Sequence, residues 1–103
     1  MDRKRPEPQL LCRRFLVEGR VQGVGFRRAG AERARGLGLD GWIRNRGDRV
    51  EVLVQGSPEA VDAFARWLAQ GPPWARVGCV KTWEEHPVSS GFCILPSVEE
   101  EDG

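Results

Sequence analysis

The sequence predicts an α+β fold, a two-layer sandwich with two helices on one face of an antiparallel sheet, and three observations carry that expectation. Apolar residues alternate between strand-like and helix-like spacing along the chain, each helix-like stretch is closed by glycine or proline, and the implied order is βαββαββ. The chain is 103 residues long, enough for one domain with one core and too short for two.

Residues 1–10, which include Pro6 and Pro8 among several charges, read as a flexible N-terminal lead-in. The domain proper is expected over residues 11–96, and residues 97–103, with Glu99, Glu100, Glu101 and Asp102, read as an acidic tail. A first strand is predicted over residues 14–18, rich in strand formers and stopping at Gly19. A glycine-punctuated turn follows. From Phe26 onward, Phe26, Gly30, Ala34 and Leu37 fall on one helix face, and Gly36 and Gly38 supply the stop. Small residues on that face allow the helix to lie close to a sheet. Residues 42–46 and 49–55 read as a strand hairpin, with Val50, Val52 and Val54 on one face and Gly47-Asp48 as a type II′ turn.

Ser57 followed by Pro58 and Glu59 predicts a second helix: a capping hydroxyl, a proline at the first helical position and an acid near the positive dipole end. Its buried stripe is Ala60, Val61, Phe64, Trp67 and Leu68, and Gly71-Pro72-Pro73 ends it. Residues 77–83 and 92–95 complete the set as strands. Two helices separated by a strand hairpin give a ferredoxin-like arrangement.

Bulk composition narrows the function classes. Hydrophobic residues make up 40% and charged residues 30%, a globular balance, and the formal net charge of +1 calls for neither a nucleic acid nor an anionic membrane as partner. Fourteen arginines against two lysines are compatible with guanidinium-rich recognition or with a coding bias. Cys12, Cys79 and Cys93 are odd in number and lack metal-ligand spacing, so they are expected to be reduced and buried. No apolar run approaches the roughly 18 residues of a spanning helix and no signal-peptide pattern opens the chain, which makes the expected location cytoplasmic.

The first turn concentrates the chemistry. Gly19, Arg20, Val21, Gln22, Gly23, Val24 and Gly25 join a strand to the start of a helix at Phe26, where unpaired amides and the positive dipole end favour an anion. The glycines permit positive φ, which lets successive N–H groups curl into a nest. Arg27, in the first helical turn, offers a planar fork to the same anion. The pattern describes a phosphate site, and it equally describes a plain turn with an exposed arginine. Other motif matches do not survive their context. Gly36, Gly38 and Gly41 spell G-x-G-x-x-G, but they close a helix and lead into a strand, the reverse of the dinucleotide fingerprint. Arg46-Gly47-Asp48 is better explained as a hairpin turn than as an adhesion tripeptide. The single histidine, His86, lies beside Pro87 and reads as an exposed loop residue; Trp67 fits the helix stripe as a core residue, and Trp74 and Trp83 read as exposed.

The run GRVQGVGFR over residues 19–27, then Ala34, then LGLDGWIRN over residues 37–45, resembles the acylphosphatase family in residue identity and in spacing. Val50-Glu51-Val52, Gly71-Pro72-Pro73, Ala75-Arg76-Val77 and Gly91-Phe92-Cys93-Ile94 match later landmarks of that family, so the resemblance covers nearly the whole domain. It implies the ferredoxin-like fold, a phosphoryl group held by Arg27 with the loop amides, and a catalytic water oriented by Asn45. The family usually carries Asp-Gly in the hairpin after this asparagine, whereas here Asp48 is followed by Arg49 and the turn is one residue shorter.

Neither carried-over residue is a general acid or base, since an arginine stays protonated and an asparagine amide does not titrate. That suits an acyl phosphate, whose leaving carboxylate has a conjugate acid of pKa near roughly 4 and needs no protonation. The implied substrate is therefore a small acyl phosphate, with inorganic phosphate as product and inhibitor, no cofactor or metal, and a monomeric enzyme. The competing expectation is a ferredoxin-like module that grips RNA or another anion without catalysis. No RNP-like aromatic pattern supports it. A carrier-type role is the nearer rival, because similar domains open larger hydrogenase-maturation carbamoyltransferases.

Overall fold

Seven elements occur in the expected order: β1 (Leu11–Arg20), α1 (Phe26–Gly36), β2 (Asp40–Arg46), β3 (Arg49–Gly56), α2 (Pro58–Gln70), β4 (Arg76–Glu84) and β5 (Phe92–Ile94). They are taken from a computed structural model that describes residues 10–23 and 25–99. Residues 1–9, Val24 and residues 100–103 lie outside these, and with them almost all of the expected lead-in, one residue of the candidate turn and most of the acidic tail.

The strands form one sheet in the order β4-β1-β3-β2-β5. All pairings are antiparallel except that of β5 with β2, which is parallel, so the sheet is mixed at one edge. The reason lies in the connection. After β4 the chain crosses the end of the sheet, held by the Glu85 amide on the Cys12 carbonyl at 2.9 Å and by two bonds between the Gln55 amide and the Val88 backbone at 2.9 and 3.1 Å. It arrives beside the start of β2, where Gly91 N–H donates to the Asp40 carboxylate at 2.8 Å, and from that end it can only run alongside β2 in the same direction.

Both helices cover the face that carries Phe15, Val17, Ile43, Val50, Val52 and Val54, and their own contribution to the core includes Phe26, Ala31 and Ala34 from α1 and Val61, Phe64 and Leu68 from α2. The expected caps are present. The Ser57 hydroxyl accepts from the Ala60 amide at 3.2 Å with Pro58 at the first helical position, and α2 closes at Gly71. Trp67 stacks on Phe64 and tilts against Phe26 with ring centroids 5.9 and 5.6 Å apart.

β3 is central, and its second face is buried too, which strand alternation did not lead one to expect. Glu51 is only 2% exposed and accepts from Arg44 at 2.8 Å, Arg14 at 3.0 Å and Arg46 at 3.4 Å. Two of these guanidiniums lie over indole rings, Arg14 over Trp83 at 4.2 Å and Arg44 over Trp42 at 4.7 Å, so a layer of arginine and tryptophan takes the place of a third layer of secondary structure. The expectation for the cysteines holds only for Cys12, which is buried, with its thiol donating to the His86 carbonyl at 3.1 Å. Burial, with Glu85 nearby, raises its pKa. Cys79 and Cys93 are exposed, because β4 and β5 are the edge strands and these residues pair with Glu18 and Trp42 on the face away from the helices. His86 is exposed, as expected.

Replacing Glu51 by Ala removes the acceptor shared by three guanidiniums, and an unfolding free energy lower by about 2–4 kcal/mol is expected from urea denaturation. A smaller effect is expected at Glu18, where the Arg49 hydrogen bond at 2.8 Å, with Lys81 nearby, lowers the carboxyl pKa. A depressed carboxyl pKa stabilises the fold above the ordinary carboxylate range, and that contribution is lost as pH falls through the folded-state value. The melting temperatures of the wild type and Glu18→Gln should therefore converge on acidification, and a gap that widens would contradict this origin.

Candidate active site

The position of the site follows from how α1 meets β2. A Cβ built on Gly30 would lie 2.8 Å from Ile43 Cδ1, so the absence of a side chain lets the helix settle on that residue. Stepping back one helical turn from Gly30 moves about 6 Å along the axis and reaches Phe26 and Arg27. Stepping forward two residues from Ile43 moves about 6.6 Å along the strand, stays on the same face and reaches Asn45. The two steps are nearly equal and point the same way. They bring Arg27 and Asn45 to the wall of one cavity of about 230 Å³, shared with Val21, Gln22, Gly23, Gly25, Phe26, Arg28 and Ile94.

The loop that enters α1 has the backbone that anion binding favours. Gly23 and Gly25 have φ of 73° and 74°, the left-handed region, and a Cβ at either would meet nothing within 4 Å, so conformation and not crowding selects glycine. Gly25 caps α1 without a side-chain hydrogen bond, and no acidic residue stands in the first turn, so the N-terminal amides are left for an outside acceptor. Gly19 and Arg20, expected in the turn, are instead the last residues of β1, paired with Val77 and Arg76 past a register shift, and they do not line the cavity. Val24 is outside the described residues.

Two polar groups of the residues lining this cavity have no partner among the described residues. Arg27 makes no hydrogen bond or ion pair with any described residue. The Asn45 Oδ1 is buried with no hydrogen-bond partner among the described residues, an arrangement that costs free energy in a fold whose other buried polar groups, Glu51 and Gln55, are fully engaged. A guanidinium and an amide oxygen, neither with a partner among the described residues, belong to two residues that line one cavity, and such groups are equipped to take a tetrahedral oxyanion and a water.

Asn45 itself is firmly seated. Its Cα partner across the hairpin is Val50, and on the other side its carbonyl accepts from the Val98 amide at 3.0 Å. The turn between the strands is the two-residue Gly47-Asp48, with Gly47 at φ 61° and Asp48 at negative φ, as a type II′ turn requires. Sequence reasoning missed Arg28, Ile94 and Val98. Arg28 is adjacent to Arg27 and within reach of a reading that scans the whole first helical turn. The other two are brought in by β5 and the segment after it, and nothing local marks them.

A larger concavity of about 630 Å³ lies between the helices, lined in part by Leu37, Trp67, Pro72 and Trp74, but it contains none of the predicted site residues. Among the described residues no three His, Cys, Asp or Glu side chains come together as a metal site, and no helix is long and apolar enough to cross a membrane.

Comparisons with known proteins show the family. The acylphosphatase family model matches residues 13–94. An acylphosphatase of Pseudomonas paraeruginosa is 54% identical over 87 residues, covering 82% of this chain and 94% of that protein, and one of Thermococcus kodakarensis is 48% identical over 81 residues, covering 77% and 89%. The structure of an acylphosphatase from Coxiella burnetii superposes with a TM-score of 0.80 at 33% identity, covering 84% of this chain and 93% of the other.

An orphaned buried oxygen predicts how its removal affects stability. Asn45→Ala should unfold at the same urea concentration as the wild type or a higher one, with a gain of up to about 1 kcal/mol. A loss beyond that size would assign the side chain a structural role.

Proposed function

This chain belongs to the acylphosphatase family, and from that premise we propose how its residues divide the work of hydrolysis. The enzyme is a hydrolase that splits the carboxyl–phosphate bond of an acyl phosphate into a carboxylate and inorganic phosphate. Arg27 and the amides of the loop bind the phosphoryl group, and Asn45 orients the attacking water. The observation that carries this assignment is that Arg27 and Asn45 line one cavity while the Arg27 guanidinium and the Asn45 Oδ1 have no partner among the described residues.

The chemistry follows from what these groups are. In a loose, metaphosphate-like transition state, negative charge spreads over the phosphoryl oxygens, and a guanidinium with backbone donors meets it without reorganising. The leaving group is a carboxylate, stable as an anion at neutral pH, so no acid has to protonate it. Water accepted by the Asn45 carbonyl is aimed along the line opposite the leaving oxygen and loses its proton late, to a phosphate oxygen of the substrate. Positioning and charge stabilisation do the catalysis, with no metal, cofactor or titrating base. Inorganic phosphate occupies the same cradle as product and inhibitor. The partner is thus a small anion and neither nucleic acid nor membrane, and the working form is a cytoplasmic monomer.

Phosphate release from benzoyl phosphate tests the assignment. Arg27→Ala should lose affinity for substrate and for phosphate, whereas Asn45→Ala should lose turnover, by about 10²-fold or more, and still bind phosphate. Near-normal turnover in Asn45→Ala would remove it from the mechanism. The wild-type kcat should stay flat from about pH 6 to 8 and should survive excess EDTA, since no step uses a titrating side chain or a metal. A steep pH dependence would point to an enzyme base, and full loss in EDTA to a metal.

A further inference from the structure

Gln22 belongs to the candidate turn, but its side chain reaches away from it. Its Nε2 donates to the Gly47 carbonyl at 2.7 Å and to the Arg49 carbonyl at 2.9 Å. Those carbonyls bracket the hairpin turn, two and four residues beyond Asn45. A primary amide carries two N–H donors, so one nitrogen serves both acceptors without dividing a proton. In a two-residue hairpin the carbonyl of the first turn residue stands outside the strand ladder, and Gln22 supplies the donor it needs.

The sheet explains why such a tie matters. The anion-binding loop leaves the end of β1, Asn45 sits on β2, and β3 lies between them. β1 keeps its register with β3 only as far as Val17 opposite Val50; beyond that point it pairs with β4 alone. No backbone ladder therefore connects the loop to the strand carrying Asn45. Arg49 reaches Glu18 at 2.8 Å, but on the face away from the helices. On the site's own side, Gln22 spans the gap, and it lines both the 230 Å³ cavity and a neighbouring one of about 570 Å³ together with Asn45.

We infer that Gln22 is a positioning residue for hydrolysis: its side-chain amide ties the phosphate loop to the hairpin and so sets the distance and direction from Asn45 Oδ1 to the bound phosphorus. This rests on Asn45 orienting the water. The shortened hairpin gives the tie its geometry, because a two-residue turn keeps the Gly47 and Arg49 carbonyls close enough together for one nitrogen to hold both. A reacting pair displaced by about 1 Å loses up to about 10²-fold in rate, so a loosened tie lowers turnover while leaving the phosphate cradle intact.

Gln22→Met keeps the backbone amide and the side-chain volume and removes both donors; Gln22→Ala serves as the second variant. With benzoyl phosphate, kcat is expected to fall about tenfold or more, while KM and the inhibition constant of inorganic phosphate stay within about twofold. An intact phosphate constant shows that the loop has folded. In an Asn45→Ala background the same replacements should change kcat by less than about twofold, because a group that acts through Asn45 has nothing left to position. Wild-type kcat in both variants, a parallel loss of phosphate binding, or the full tenfold loss repeated in the Asn45→Ala background would each overturn the inference. If Asn45→Ala alone turns over normally, the assignment of Asn45 fails first and the role of Gln22 falls with it. If Asn45→Ala is impaired and the Gln22 effects are additive, only the positioning role fails.

Discussion

The close seating of α1 on β2 at Gly30 and Ile43 is the constraint on which the site depends. A side chain at Gly30 would lift the helix, and the helix carries the loop, Gly25 and Arg27 with it. The helix start is also held from α2 beside it, where Phe26 is buried against Trp67, itself stacked on Phe64. The N-terminal half of α1 is therefore seated in a corner between the sheet and an aromatic stack. The orientation of the helix on the sheet comes from packing, and the Gln22 side chain adds a polar tie from the loop before it to the hairpin.

That division between packing and chemistry extends across the sheet. Glu51 and Asn45 lie near each other on neighbouring strands of one hairpin, both withdrawn from solvent, yet they are treated oppositely. Glu51 is surrounded by three guanidiniums and stabilises the open face. Asn45 Oδ1 has no donor among the described residues. Buried polar groups in folded proteins are almost always satisfied, so an exception beside a cavity reads as a group kept ready for a ligand. The same hairpin thus carries a paired carboxylate on one face and an unpaired amide oxygen on the other, and strand alternation keeps the two apart.

Much of this was legible in the sequence, and for reasons that can be named. Element order, both helix stops, the Ser57 cap and the Gly47-Asp48 turn depend on local chemistry, so local patterns reveal them. The pairing of Arg27 with Asn45 came from a family resemblance; spacing alone left the turn ambiguous. What could not be read depends on distant partners. Glu51 looks like an exposed strand residue until Arg14 and Arg44 are folded over it, and Cys79 looks buried until its strand is known to be an edge. The parallel entry of β5 is decided by where the crossing segment is delivered, which Gln55 fixes by offering Val88 a side-chain amide in place of a strand. Gln22 was visible as a loop residue, but the direction of its side chain was not.

The strand order also shapes how the molecule comes together in time. β1 has as neighbours β3 and β4, never the element that follows it, and β5 returns to pair with β2 across about fifty residues of chain. Contacts of such long sequence separation require loops to close before any pairing rewards them, an entropic cost that local contacts do not carry. Val98 holds the backbone of Asn45 through the last of these closures. The backbone at Asn45 is therefore fixed only when residues far apart in the chain have met, and a change that weakens the β5 end reaches Asn45 through its carbonyl.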